Sequence, residues 1–179
     1  AIKDMLVAAE IKLKDIHAVA VAIGPGSYTG LRIGLSTAKG LCYALNIPLI
    51  AIGTLDMMAE AAIKKRAVDL YCPMIDARRM EVFTAVYKRN MEKVIEPCAM
   101  IIDENSFSDL LKHNSILFYG NGSNKLKLLV NNREAFFDTI EINASELVKI
   151  SNRRFRIKDF SSTAYTDPVY IKQFYTPIK

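Results

Sequence analysis

Three glycines and a proline crowd into the seven residues Gly24-Pro25-Gly26-Ser27-Tyr28-Thr29-Gly30, and the chemistry such a stretch offers is anion binding. It joins a strand-like apolar run, Ala18 to Ile23, to a long apolar helical pattern, Leu31 to Leu45. Backbone N–H groups at a helix start attract phosphate, which makes Gly24, Gly26, Ser27 and Gly30 candidate anion contacts. No Gly-Lys-Ser/Thr follows, and Gly26-x-x-x-Gly30 is not the GxGxxG spacing of dinucleotide sites. The competing reading is a turn whose missing side chains let another backbone or helix come close. A second polar cluster, Asp76-Ala77-Arg78-Arg79-Met80-Glu81, offers Asp76, Arg78 and Arg79 for contact with nucleotide or RNA phosphate. As plain hairpin chemistry it is a turn with an Asp–Arg surface pair. Ser27 and Thr29 carry hydroxyls, but a nucleophile needs a base within hydrogen-bond reach. His17 begins the preceding strand and would lie roughly 20 Å away at the usual strand rise. No catalytic residue is assigned.

The elements that must position these groups are bounded by composition. A chain of 179 residues, 51% hydrophobic, can bury one large core or two small ones. Its apolar runs are too short to span a bilayer, and Ala1-Ile2-Lys3-Asp4 is not a signal peptide. Cys42, Cys72 and Cys98 have no CxxC spacing and read as reduced thiols of a cytoplasmic protein. The net charge of +5 is dispersed. The basic run Arg153-Arg154-Phe155-Arg156-Ile157-Lys158 reads as a solvated, poorly ordered connection, or else as electrostatic help in bringing RNA to a complex.

Periodicity gives a helix over 2–9, a buried strand over 17–23, the long helix, a buried strand over 48–52, and a helix over 55–65 capped by Thr54. From residue 71 the texture becomes strands over 71–76, 81–87 and 93–102, joined by short connections into an antiparallel meander. A helix (106–112), a strand (116–119), a Gly120-Asn121-Gly122 turn, a helix (124–130), a strand (136–140) and a helix capped by Asn143 or Ser145 follow. The second half thus reads βββαβαβα, and the first half is the tail of the same order, αβαβα. Two tandem copies of that order make a duplicated α/β fold of the actin-like (ASKHA, ribonuclease-H-like) kind. The first lobe, residues 1–68, lacks its N-terminal strands in this sequence; the second lobe with its tail takes residues 69–179. On this reading Ala1 is not the natural start.

The string Gly24-Pro25-Gly26-Ser27-Tyr28-Thr29-Gly30-Leu31-Arg32-Ile33-Gly34 closely resembles the signature of the bacterial TsaB (YeaZ) family. Ala38-Lys39-Gly40-Leu41, Ile47-Pro48-Leu49, Thr54-Leu55-Asp56-Met57-Met58, Ile75-Asp76-Ala77-Arg78-Arg79-Met80-Glu81-Val82 and Pro168-Val169-Tyr170-Ile171-Lys172 extend the likeness from residue 2 to about 172. The resemblance implies a part in the threonylcarbamoyl modification of the adenosine beside the anticodon of certain transfer RNAs. It implies dimerisation with and activation of the catalytic paralogue TsaD, work alongside the ATPase TsaE, pairing with a second copy when alone, and only indirect contact with tRNA. TsaD-like enzymes carry a metal-holding His-x-x-x-His pair on the helix after the Ile-Pro-Leu strand; imidazoles at i and i+4 share a helix face. Aligned through Ile47-Pro48-Leu49, those positions are Thr54 and Met58 here, so no metal and no cofactor bound by this chain alone is expected. A nucleotide at the subunit junction is left open.

On the long helix, Leu31, Leu35, Ala38, Leu41, Cys42 and Leu45 form one apolar stripe, the lobe's own core. Ile33, Thr37, Gly40 and Ala44 form a flatter second face, bounded by Arg32, Ser36, Lys39 and Tyr43. Two coverings of that face compete: the helix beginning at Thr54, or a partner subunit. With Tyr28 and Thr29 at the helix start, family expectation favours the partner. Two rival functions stay open, an actin-like ATPase or small-molecule kinase and a stand-alone tRNA-binding module.

Overall fold

The computed structural model of the chain describes residues 2–172. Two short strands, β1 (Val19–Ala22) and β2 (Leu49–Ile52), pair in parallel with Val19 opposite Leu49 and Ala22 opposite Ile52. Parallel neighbours need a crossover, and the crossover is the long helix α2 (Tyr28–Leu45). Side chains alternate across this sheet. Val19, Val21 and Leu49 meet Leu35, Ala38 and Cys42 of α2 on one face. Ala18, Ala20, Ile50 and Ile52 meet Leu147 and Ile150 of α6 (Leu147–Arg156) on the other. The boundary near residue 68 therefore separates the two sheets but not the helices that cover them. β1 is half-buried throughout, less enclosed than the buried strand read from its sequence. The helix α1 (Ile2–Ala8) buries no residue.

The second sheet has five strands in the order β5-β4-β3-β6-β7. β3 (Leu70–Asp76), β4 (Glu81–Lys88) and β5 (Lys93–Ile101) are the antiparallel meander; β6 (Ile116–Tyr119) runs parallel to β3, and β7 (Ala135–Asp138) parallel to β6. Period-two alternation builds a core on each face. Tyr71, Ala85, Tyr87, Leu117 and Tyr119 pack under α3 (Thr54–Lys65) through Leu55, Met58, Ala59 and Ala62. Leu70, Cys72, Met74, Val86, Ile116 and Phe118 pack under Phe107 and Leu111, beside and in α4 (Ser108–Leu111), and Leu126 of α5 (Ser123–Lys127). Glu60, 2% exposed on α3, is held by an ion pair to Lys149 of α6.

Several local readings are corrected. Thr54 is the first residue of α3 and Gly53 occupies the cap position, with no side-chain cap bond. α2 begins a turn earlier than the apolar pattern, because Ser27 caps it. Arg153 to Arg156 form the last turn of α6, an ordered helix end where a loose connection was expected. The closing segment returns to the first sheet: Ser161 N–H donates to Leu49 O at 2.8 Å, and Ser161 Oγ accepts from Ala51 N at 3.0 Å. Residues 173–179 of the expected tail lie outside the described residues. Among the described residues no helix is long and apolar enough to cross a membrane.

Candidate functional site

The glycine loop is built around the returning chain. At Gly24 the backbone turns to φ +116°, a region closed to most L residues. A Cβ there would stand 2.6 Å from the carbonyl oxygen of Val169, whose N–H donates to Ile23 O at 2.7 Å. The close approach expected of the loop is therefore that of the chain's own segment near 169. Gly24 O also accepts from Thr54 N at 2.8 Å, tying the loop to the start of α3. Ser27 Oγ accepts from Gly30 N at 3.3 Å, which caps α2 and removes that N–H from the set expected to be free for an anion. Gly26 and Ser27 stay exposed.

From this cap α2 presents two unlike faces. The inner one is the core described above. The outer one carries Arg32, Ile33, Ser36, Thr37, Gly40, Tyr43 and Ala44, all exposed, with Lys39 half-buried; Thr29 is exposed and Tyr28 half-buried at the helix start. Ile33 is 63% and Tyr43 88% exposed, and among the described residues no atom beyond the helix's own backbone and the adjoining residues lies within 4 Å of the place a Cβ would take at Gly40. Thr37 Oγ1 donates back to Ile33 O at 2.8 Å, keeping that hydroxyl on its own helix. This flank does not pack on α3, the alternative covering.

Arg32 lies 4.1 Å above the ring of Tyr28 and donates Nε–H to Tyr170 Oη at 3.0 Å, while the two tyrosine rings are 5.2 Å apart. That hydrogen bond, outweighing a smaller lowering by burial, raises the guanidinium above its ordinary pKa. A groove of about 510 Å³ runs beside it, between Ser36 and Lys39 on one side and Asp167 on the other. Sequence reasoning missed Tyr170 as a member of this cluster; it stands 138 residues from Arg32, and no local period connects them.

In the other sheet, Asp76 closes the β3–β4 hairpin. Its Oδ1 accepts from Arg78 N at 2.6 Å and from Lys125 Nζ at 2.7 Å. These bonds, Lys125 first, hold the carboxyl below its ordinary pKa. The surface partner of Asp76 is thus Lys125 of α5; the expected Asp–Arg pair does not form. Arg78 and Arg79 sit in the left-handed region at φ 70° and 45°, exposed and without an ion pair among the described residues. Lys172 Nζ meets Glu81 Oε2 at 2.6 Å. A cleft of about 410 Å³ gathers Gly26 and Tyr28 from one sheet's loop and Asp76 and Arg78 from the other's hairpin, with Tyr170 and Lys172 between them. The turn after β6 is a plain one: Gly122 N donates to Met74 O at 3.0 Å, and Ser123 Oγ donates to Gly120 O at 2.7 Å.

Met58 is buried in the α3 core, and His17 and His113 are both exposed. Among the described residues no three His, Cys, Asp or Glu side chains gather as a metal site would require. Cys42 and Cys72 are buried free thiols; burial pushes Cys72 up to about 12. Tyr87 donates to Asp56 Oδ1 at 2.9 Å, whereas the buried hydroxyl of Tyr119 finds no partner among the described residues.

Residues 1–155 match the family described as TsaD, tRNA N6-adenosine threonylcarbamoyltransferase. Two curated relatives carry the name tRNA threonylcarbamoyladenosine biosynthesis protein TsaB. The Escherichia coli protein is 40% identical over 89 residues, 50% of this chain and 38% of its own length. That of Bacillus subtilis is 31% identical over 135 residues, 73% of this chain and 57% of its own length. The chain thus spans between about two fifths and three fifths of the curated relatives it matches. Two Pseudomonas aeruginosa structures share the fold. One is described as similar to peptidase YEAZ, with TM-score 0.81 at 22% identity over 96% of this chain and 81% of that one. The other, YeaZ, has TM-score 0.77 at 22% identity over 94% and 81%.

Proposed function

The chain belongs to the TsaD family, and from that membership we propose that it serves tRNA threonylcarbamoyladenosine biosynthesis in the TsaB manner, as a non-catalytic subunit that pairs with a TsaD-like partner. It has the duplicated actin-like α/β fold of its YeaZ neighbours. The observation that carries the pairing is the outer face of α2. Ile33, Gly40, Tyr43 and Ala44 leave a shallow apolar strip open to water on a helix whose other side packs on the first sheet through Leu35, Ala38 and Cys42. Such a strip is covered most cheaply by a second helix, since glycine and alanine let the axes close to packing distance. Thr29, Arg32, Ser36, Thr37 and Lys39 supply the polar rim. The chemical step belongs to the partner on this reading, because Thr54 and Met58 stand where the metal-holding histidines of TsaD-like enzymes are expected. Lacking that partner, the chain would pair with a copy of itself through the same strip, and a TsaE-like ATPase would join the larger assembly.

Co-purification with the TsaD-like protein tests this. Ala44→Glu places a charge in the strip and should weaken pairing about 100-fold or more, because an unpaired buried charge costs about 3 kcal/mol or more. Undiminished affinity in a folded variant removes the interface. Threonylcarbamoyl transfer, or ATP turnover, by the isolated chain removes the non-catalytic assignment.

A further inference from the structure

We propose that the C-terminal end of α6 and the turn after it, residues 153–160, are an RNA-docking surface of this chain. The helix carries its apolar residues Leu147 and Ile150 inward, so its exposed end is free of any core duty. There the sequence Arg153-Arg154-Phe155-Arg156-Ile157-Lys158-Asp159-Phe160 folds into a defined turn. Ile157 N donates to Arg153 O at 3.3 Å, Lys158 N to Phe155 O at 3.1 Å and Asp159 N to Arg154 O at 2.9 Å.

One cation of the group is structural. Arg154 Nη1–H donates to Ala51 O at 2.6 Å, and its Nε lies 3.6 Å from Oδ2 of Asp159, the one acidic residue between 147 and 166. The other three, Arg153, Arg156 and Lys158, are exposed and have no ion pair among the described residues. They are therefore positive charge without an ion pair, carried on a hydrogen-bonded turn. Between them two aromatic rings remain at the surface. Phe155 and Phe160, 39% and 40% exposed, stand 5.8 Å apart and tilted by 52°.

Arginine with interleaved aromatic rings is the chemistry of phosphate and unstacked bases together: the guanidinium forks take phosphate oxygens, and a ring face takes a base. A lipid surface fits less well, because a helix that lies on a membrane needs a broad apolar face there, and of the apolar residues of α6 Leu147 and Ile150 are buried in the fold, leaving Val148 and Phe155 exposed. The surface sits on α6, away from the outer face of α2, and it departs from the indirect contact with tRNA that the resemblance implies: RNA would be held by this chain directly while the partner is held elsewhere. It rests on the function proposed above only for the identity of the RNA.

The test is fluorescence anisotropy of the full-length protein with an unmodified tRNA transcript and with its isolated anticodon stem-loop, across a salt series. Arg153→Glu/Arg156→Glu/Lys158→Glu should weaken binding tenfold or more and flatten the salt slope by about 2, the release of about three phosphate contacts. Phe155→Ala/Phe160→Ala should weaken it about fivefold with the slope unchanged, and circular dichroism should show both variants folded. Lys12→Glu/Lys14→Glu/Arg89→Glu makes the same change in net charge elsewhere and should have little effect. Equal losses in this control, wild-type binding by the arginine variant, or arginine-dependent capture by phosphatidylserine vesicles in place of RNA would each overturn the proposal. Co-purification with the TsaD-like protein should be unaffected by the α6 variants, so loss of RNA binding and loss of pairing are read separately.

Discussion

Asp76 shows how one carboxylate organises the hairpin that faces the glycine loop. It accepts from Arg78 N and from Lys125 Nζ, and its own N–H donates to Asn121 Oδ1 at 2.9 Å, so its own hairpin and the segment from Asn121 to Lys125 converge on it. Its pKa is lowered in the folded chain, so between the folded and unfolded values the folded state binds fewer protons. The stabilisation is therefore present above the ordinary carboxylate range and is lost as pH falls below about 4. Asp76→Asn keeps the acceptor atom but not the charge. It should lower Tm by one or two degrees at pH 7, for a surface pair worth about 0.5 kcal/mol after screening, and the gap to wild type should narrow as pH falls below about 4. A thermal melt series over that range checks it; a gap that stays constant with pH would mean the charge of Asp76 is idle. The sequence placed Asp76 in the right turn but gave it the wrong partner. Lys125 is 49 residues away, and nothing in a local pattern says which cation a folded turn will meet.

At the scale of elements, the two faces of α2 were legible because a 3.6-residue projection needs no knowledge of what lies opposite. Leu35, Ala38 and Cys42 are buried and Ile33, Thr37, Gly40 and Ala44 open, as the projection has it. The meander was legible too, because three alternating strands with short connections leave few topologies. What the pattern missed are the ends. The cap of α2 is Ser27, inside a glycine stretch where apolar periodicity is silent. α6 also covers the first sheet, although it follows the second in sequence, since periodicity shows that a helix has an apolar face and not which sheet will take it. The glycine loop yields an element-level prediction. Gly24→Ala forces a left-handed φ on alanine and drives its Cβ against Val169 O, so it should cost about 3 kcal/mol and lower Tm by about 6–12 °C. Gly26→Ala, whose nearest neighbour would be Leu31 at 3.8 Å, should melt within about two degrees of wild type. Equal melting temperatures for the two variants would show that Gly24 is conformationally unconstrained.

For the whole molecule, the segment 167–172 joins what the two sheets begin. Val169 is hydrogen-bonded to the end of β1, Tyr170 sets its ring against that of Tyr28, tilted by 40°, at the head of α2, Ile171 packs against the α3 core, and Lys172 reaches Glu81 on β4. A strap that touches both sheets should couple their stabilities, and the steric part of the Gly24→Ala penalty exists only while the strap is in place. A chain ending at Asp167 should therefore lose amide protection at both the Gly24 loop and the 76–81 hairpin, as read by hydrogen exchange, with the sheet interior around Phe118 unchanged. In that shortened chain Gly24→Ala should retain only the backbone part of its cost, about 1 kcal/mol, because the Val169 carbonyl it collides with is gone. The two changes are then non-additive by about 2 kcal/mol, a coupling well beyond the scatter expected of independent sites. Additive melting temperatures, or protection lost at one sheet alone, would make the segment a passive tail, and the close approach at Gly24 would need another cause.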